Sequence, residues 1–361
     1  MYQPLPLFNA ADPAFRVLAF DHNVPTTEPL QISAWVAMSA LQKGIRRGNV
    51  DLATRAAATL LKVDPGKLWR RLAGIAFEDV GLASIETVGL VMAGTAGKTV
   101  RQHFGGGEWA VASLLVKQMC QARKCRAADD LFLTIAHHHE LKALRGDVTR
   151  EDLRQHLTRV SERGALLGAS LAALHGSGIR WNGQVAGKAT DPKALFAAMR
   201  SAGIGHDIVA LADQGFRRTR EALPVLLPLL TLALPSGELQ AQDDELPPFV
   251  IGHNGLPTYC LDMFSWEGKA ALSLFLKSNA TSARWLRKYI PASRRMAVLG
   301  GGLFRVEGGL VRQRIEWPAA QTLRSLADSG YHHLKLADPA DLLQMIRADL
   351  LKLDEVRHDA H

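Results

Sequence analysis

A basic and aromatic stretch near residue 285 has the residue types that bind nucleic acid. Residues 278–306 include six basic side chains and no acidic one. Trp285 and Tyr289 are four residues apart, so they would share one face of a helix. Arg284 and Lys288 flank that face at the same spacing. The spacing therefore predicts one helical face that carries both cations and rings.

That face has two interpretations. Its cations can hold a phosphate backbone while a ring stacks on an exposed base. Alternatively, both aromatic side chains belong to the core and the cations line its rim. The stretch is the best candidate in the chain for a contact with DNA, and the expected partner is single-stranded or forked DNA. The residues predicted to contact it are Arg284, Trp285, Arg287, Lys288, Tyr289, Arg294 and Arg295.

A second group of residues has the types used in metal-dependent chemistry. Asp262, Glu267 and Lys269 match the Asp…Glu-x-Lys set of metal-dependent nucleases, but that set needs neighbouring strands and this stretch leads into a helix. His137 and Glu140 have the spacing of metal ligands on one helix face, and no second cluster accompanies them. These five residues define the alternative function, an enzyme acting on nucleic acid or a phosphorylated ligand. We predict no catalytic residue, metal or cofactor.

A short glycine motif has the appearance of a phosphate loop. Gly97-Lys98-Thr99 would need a glycine five residues before Gly97, because backbone amides must wrap the phosphates, and Met92 stands there. Helical sequence also lies on both sides. The motif is interpreted as a helix terminus followed by a glycine-rich turn, without nucleotide binding.

Residues 33–84 have the punctuation of three consecutive helices. Gly48 ends the first helix, where Arg46 precedes it with a charge that suits the helix dipole. Asn49 or Asp51 is the candidate N-cap of the second. Asp64-Pro65 starts the third, because proline is tolerated at the first helical position.

These helices carry ordered motifs: Ala40-Leu41-x-Lys43-x-Ile45-Arg46, then Asp51, Arg70-Arg71-Leu72, and Ala76-x-Glu78-Asp79-Val80-Gly81-Leu82-Ala83. The segment resembles the C-terminal helical domain of the RarA/MgsA ATPases, a group that includes the Werner-helicase-interacting ATPase and is related to clamp-loader subunits. A weaker match continues to about residue 135, so the resemblance covers the first third of the chain. The matched residues taken as site candidates are Leu41, Lys43, Ile45, Arg46, Arg70, Arg71, Glu78, Asp79 and Gly81.

The resemblance implies a collar domain that mediates self-association and recruits partners at DNA. We expect it to lack the family's nucleotide-binding module, so an ATPase or replication protein would act in trans. The predicted function is a non-catalytic, DNA-associated oligomeric scaffold or accessory protein in DNA replication, recombination or repair. Glu78 and Asp79 match the family motif, but they suit helix capping and packing as well as function.

Composition indicates a helical, non-membrane protein. The chain has 361 residues, of which 47% are hydrophobic and 6% aromatic, with a formal charge of +8. The charge is compatible with a polyanionic partner. Three scattered cysteines indicate a reducing compartment. No signal peptide is recognised, and the apolar run at 223–234 contains two prolines and is too short to span a bilayer. We expect a cytoplasmic protein.

The predicted fold is mainly α, an orthogonal helical bundle or array with a smaller α+β C-terminal region. Alternation around glycines at 297–317 predicts a β-hairpin there. Four segments are expected. They are an extended, proline-containing arm at 1–31, a collar-like helical domain with its continuation at 32–234, an acidic linker or loop at 235–248 and a mixed α/β domain at 249–361.

Overall fold

The computed structural model describes residues 22–102, 106–162, 165–181, 189–235, 239–253, 255–330 and 339–360. Within those ranges the protein is mainly α-helical, as predicted, and has one two-stranded antiparallel sheet. The first 21 residues of the predicted arm lie outside the described residues. The rest of the arm is extended against the helical body: Trp109 Nε1 donates to the Pro25 carbonyl at 2.9 Å.

Helices fill the chain from residue 34 to residue 233. The α-helices are α1 (Ala34–Arg47), α2 (Val50–Val63), α3 (Pro65–Ile75), α4 (Ile85–Gly94), α5 (Lys98–Gln102), α6 (Gly107–Gln121), α7 (Ala127–His137), α8 (Lys142–Arg150), α9 (Leu153–Ser161), α10 (Leu166–Ser177), α11 (Pro192–Ser201), α12 (His206–Thr219) and α13 (Ala222–Leu230). The tighter or wider turns are a π-helical turn (Ala76–Val80) and 3-10 turns at Gly81–Ala83, His139–Leu141 and Thr231–Ala233.

The predicted punctuation of the first three helices is confirmed. Gly48 ends α1 in the left-handed region with φ of 70°. Asn49, rather than Asp51, caps α2. Asp64 caps α3 and Pro65 is its first residue. These signals are local, because a cap satisfies backbone groups within one turn.

The remainder of the described chain combines the small sheet with further helices. Its elements are β1 (Gln240–Asp243), a 3-10 turn (Thr258–Cys260), α14 (Trp266–Phe275), α15 (Thr281–Tyr289), α16 (Ala292–Gly308), β2 (Gln313–Glu316), α17 (Pro318–Gly330), α18 (Pro339–Ala348) and α19 (Leu350–Asp359). β1 lies inside the segment predicted as a linker and pairs with β2 in the register Gln240↔Glu316 to Asp243↔Gln313.

The β-hairpin predicted at 297–317 is wrong. Most of that range belongs to α16, and only β2 is a strand, which pairs with the distant β1. Leu299 and Leu303 are buried at helical spacing. Gly300 permits close packing, since a Cβ there would lie 2.4 Å from Met263 Sδ. The glycines that imitate turn signals therefore serve helix packing.

Buried apolar side chains form two clusters. The first joins helices α1–α4 and α6–α13 with residues 256–261, Trp317 and the start of α17. The second joins α14, α15, α16, α18 and α19. No helix among the described residues is long and apolar enough to cross a membrane.

Candidate functional site

A buried cluster of ion pairs surrounds Asp79, whose side chain is 0% exposed. We call it the Asp79 cluster: Gln42, Arg46, Glu78, Asp79 and Arg126. Arg46 Nε and Arg126 Nη1 lie 2.7 and 2.6 Å from Asp79 Oδ1. Gln42 Nε2 donates to Oδ2 at 3.1 Å. Both arginines also reach Glu78 Oε1, at 3.3 and 3.2 Å. The motif acids therefore join α1 to the start of α7.

The electrostatics of the Asp79 cluster hold its carboxylate ionised. Burial opposes the charge, but the Arg46 and Arg126 guanidinium groups and the hydrogen bonds from Arg46 and Gln42 keep the pKa of Asp79 well below its usual range. Removing one partner of such a cluster would leave uncompensated charge in the interior. The cluster is thus a strong structural joint.

The backbone after α3 turns both motif acids inward. Residues 76–80 form a π-helical turn, which re-aims side chains relative to a regular helix. Gly81 then takes φ of 51° and ψ of −135°, a conformation that favours glycine. The Cys125 amide donates to the Asp79 carbonyl at 2.8 Å. This turn explains why the motif has glycine directly after its acidic pair and Val80.

A second buried cluster connects the two apolar cores. We call it the Glu307 cluster: Lys43, Asp262, Glu307, Asp354 and Arg357. Glu307 on α16 lies 3.2 Å from Lys43 Nζ of α1 and 2.6 Å from Arg357 Nη1 of α19. Burial opposes ionisation of Glu307, but Arg357 and Lys43 lower its pKa to about 2. The charges therefore hold α1, α16 and α19 together.

The family-motif residues meet at one cavity of about 570 Å³ between α1, α3 and α16. Those that line it are Lys43, Arg46, Arg70, Arg71 and Glu78. Leu41 and Ile45 are fully buried in the first core. Trp35 and Phe264 line the cavity and are 53% and 57% exposed. The motif thus builds the charged wall of a cavity whose mouth is aromatic.

Acid should destabilise the protein through these two clusters. A carboxyl whose pKa is lowered by folding stabilises the native state above its ordinary pKa and loses that contribution as pH falls. For Glu307, a shift from 4.5 to about 2 corresponds to about 3 kcal/mol. We expect the free energy of unfolding, measured in urea, to fall steeply from about pH 4 to pH 2.

Asp129 provides the contrast in that titration. Burial raises its pKa to about 6, despite the neighbouring Arg126, so its contribution decreases as pH rises between about 4 and 6. Glu307→Gln removes one group from the acid limb and should flatten the pH dependence below pH 4. An unchanged slope in this variant would contradict the assignment of Glu307.

The predicted DNA-contacting stretch divides into exposed and structural residues. Arg284, Lys288, Tyr289 and Arg294 are exposed on α15 and the start of α16. Trp285 is half-buried against the second core, with its ring 5.1 Å from that of Tyr289. The structure brings these residues to one surface, where one ring faces solvent and the other supports it.

The two remaining arginines of the set bind backbone carbonyls. Arg287 Nη1 donates to the Ser278 carbonyl at 2.8 Å. Arg295 donates through Nε to the Ile290 carbonyl and through Nη2 to the Arg287 carbonyl, both at 2.8 Å. Both side chains are half-exposed and fix the turns around α15. Their hydrogen bonds indicate a positioning role beside the exposed cations.

With this geometry in place, the chain was compared with known proteins. It matches no protein-family model, no curated protein and no solved structure. The resemblance to the RarA/MgsA collar domain depends on the motif residues alone and stays a prediction.

The residues of the enzyme alternative occupy loops and helices. Asp262 lies in a loop, where its carboxylate accepts from Ser39 Oγ at 2.6 Å and approaches Lys43 Nζ at 3.4 Å. Glu267 and Lys269 are on α14, not on a strand. His137 ends α7 and Glu140 follows in the 3-10 turn. Among the described residues, no group of three His, Cys, Asp or Glu side chains is placed to hold a metal.

Sequence reasoning missed the distant members of both clusters. Arg126, Glu307 and Arg357 are buried charged residues that complete them. A usable signal was present at Arg126 and Asp129, which are three residues apart and pair at 2.5 Å. Isolated charges within apolar helices such as α16 also mark buried pairs, since they are rarely buried alone.

Proposed function

We propose that this protein is a non-catalytic, DNA-associated oligomeric scaffold or accessory protein in DNA replication, recombination or repair. One observation supports the DNA contact. Arg284, Lys288 and Arg294 form no ion pair with any carboxylate among the described residues, and Tyr289 is exposed beside them. We call these four residues the α15 face. Unpaired surface cations next to an exposed ring suit phosphates and an unstacked base.

The exposed ring favours a substrate with unpaired bases. Phosphate contacts alone do not distinguish duplex from single strands, whereas stacking on Tyr289 needs a base outside a helix. Lys288 Nζ lies 4.9 Å from the Tyr289 ring centroid, so the cation and the ring are adjacent. Single-stranded or forked DNA is therefore the expected partner.

Self-association and a partner in trans are the other parts of the proposal. The resemblance to a collar domain supports both. Exposed aromatic side chains give a second support, since apolar surface patches mark contacts between proteins. Trp266 is 83% exposed, and Trp35 and Phe264 are also exposed. An ATPase or replication protein would bind the assembled oligomer.

The test is a salt series of binding to single-stranded, duplex and forked DNA. The variant Arg284→Ala/Lys288→Ala/Arg294→Ala should weaken binding by at least about tenfold. It should reduce the slope of log K against log salt by about 2 to 3, because each lost phosphate contact releases fewer counterions. Light scattering on the same samples measures the mass of the assembly.

A charge-matched control separates the α15 face from general attraction. Lys62→Ala/Arg154→Ala/Arg200→Ala removes the same charge from exposed positions on α2, α9 and α11. The control should retain the affinity and most of the slope. Equal losses in both triple variants would contradict a specific face, and a single-chain mass at micromolar concentration would contradict self-association.

A further inference from the structure

A small cavity of about 240 Å³ lies where the loop before α7, the end of α16, β2, α17 and α18 meet. We call it the arginine cavity. Its charged wall contains two acidic residues, Asp130 and Asp328. The cationic residues that line it are Lys124, Arg126, Arg305, Arg314, Arg324 and Arg347. Cations therefore dominate the surface that a ligand would meet.

The acidic partners of these cations are mostly engaged or lie behind them. Asp130 and Asp328 both bind Arg305, each at 2.7 Å. Glu316 does not line the cavity, but it lies 3.3 Å from Arg314 and 2.5 Å from Arg324. Carboxylates placed behind guanidinium groups orient them in the way that outer partners orient metal ligands. The cationic groups are thus held in place before a ligand binds.

Two of the cationic groups keep unused donor capacity. Lys124 is 2% exposed, and its Nζ donates to the carbonyls of Cys120 and Ala122, so this buried charge has no carboxylate partner among the described residues. Burial lowers the pKa of Lys124 to about 8. Arg314 Nε is buried and has no hydrogen-bond partner within the described chain. A buried donor without an acceptor is costly, and an anion would satisfy it.

The backbone fixes these two residues side by side. The Lys124 amide donates to the Gln313 carbonyl at 2.9 Å, and the Ile315 amide donates to the Lys124 carbonyl at 3.0 Å. These bonds attach the loop to β2 as a parallel bridge between Lys124 and Arg314. The sheet therefore sets the spacing of the two donors.

We propose that the arginine cavity binds a phosphate-class oxyanion, such as orthophosphate, pyrophosphate or the terminal phosphate of a nucleic-acid strand. Guanidinium groups match the oxygen geometry of phosphate, and hydrogen bonds between charged groups are the strong ones. The cavity volume limits the bound group to one or two phosphates. This site does not depend on the α15 face.

Titration calorimetry with pyrophosphate and with inorganic phosphate tests the site. Arg347 is exposed at the edge of the cavity, and its nearest carboxylate oxygen, on Asp328, is 4.0 Å away, so Arg347→Ala should fold normally. We expect this variant to weaken binding about tenfold. Arg324→Ala should weaken it as well. Arg150→Ala, an exposed arginine on α8, is the matched control and should leave the Kd unchanged.

The source of the anion is distinguished with oligonucleotides. If a strand terminus occupies the cavity, a 5′-phosphorylated strand will bind more tightly than its 5′-hydroxyl form, and Arg347→Ala will remove the difference. If a free anion is the ligand, pyrophosphate binding will depend on Arg347 and the strand end will not matter. Either result supports the cavity. Absence of binding by every probe, or equal effects of Arg347→Ala and Arg150→Ala, would overturn the proposal.

Discussion

Asp79→Asn should lower the free energy of unfolding by about 3–5 kcal/mol. Asparagine has nearly the same shape, so the change removes charge without opening a cavity. Arg46 and Arg126, which are 2.7 and 2.6 Å from Asp79 Oδ1, would then share only Glu78 and Asp129 as acidic partners. Both guanidinium groups are buried, so the missing charge cannot be replaced by water.

Urea unfolding followed by circular dichroism measures this loss. Asp147→Asn is the matched control, because Asp147 pairs with Arg150 on the exposed surface of α8, where such pairs contribute about 0–1 kcal/mol. The pH profile adds a second readout: the stability of Asp79→Asn should respond less to acid below pH 4 than that of the parent protein. Equal losses in Asp79→Asn and Asp147→Asn would contradict the structural role of the Asp79 cluster.

Helix boundaries were predictable because their causes are local. Asp64 and Pro65 act on the first turn of α3, and Gly48 ends α1 by its own backbone conformation. The pairing of β1 with β2 had no such signal. The two strands are separated by about seventy residues, and β1 is formed by exposed polar side chains within an acidic segment. Its existence depends on tertiary contacts.

The hairpin error shows how an apolar pattern can be ambiguous. Glycines next to Leu299 and Leu303 gave the alternation of a strand, although the same apolar residues recur at helical spacing. The deciding contact is between Gly300 and Met263, which a sequence cannot place in space. Helix α16 is consequently specified by its packing partner as much as by its own residues.

The candidate sites were predictable to different degrees. Helical spacing correctly placed Arg284, Lys288 and Tyr289 on one surface. It could not reveal that Arg287 binds carbonyls of the preceding turn. The arginine cavity was not predicted at all, because its cations come from five separate elements. Buried charge clusters depend on residues brought together by folding, and no spacing along the chain encodes them.

Gly81→Ala should destabilise the protein by about 3 kcal/mol or more, through two separate causes. The φ of 51° with ψ of −135° lies in a region that residues with a Cβ avoid. The added Cβ would also lie 2.6 Å from the Cys125 carbonyl oxygen. To relieve that contact, the turn must move away from residue 125, although the Cys125 amide bonds the Asp79 carbonyl.

Gly107→Ala separates these two causes. Gly107 has φ of 63°, but a Cβ there would meet nothing within 4 Å, so only the backbone cost of about 1–2 kcal/mol applies. Urea unfolding of both variants gives the comparison, and Gly81→Ala should cost clearly more. Equal costs would mean that the loop before α7 yields to the new methyl group. A larger cost at Gly81 would mean that the turn and the Asp79 cluster form one rigid unit, in which the motif glycine is needed to keep its acidic neighbours aimed at Arg46 and Arg126.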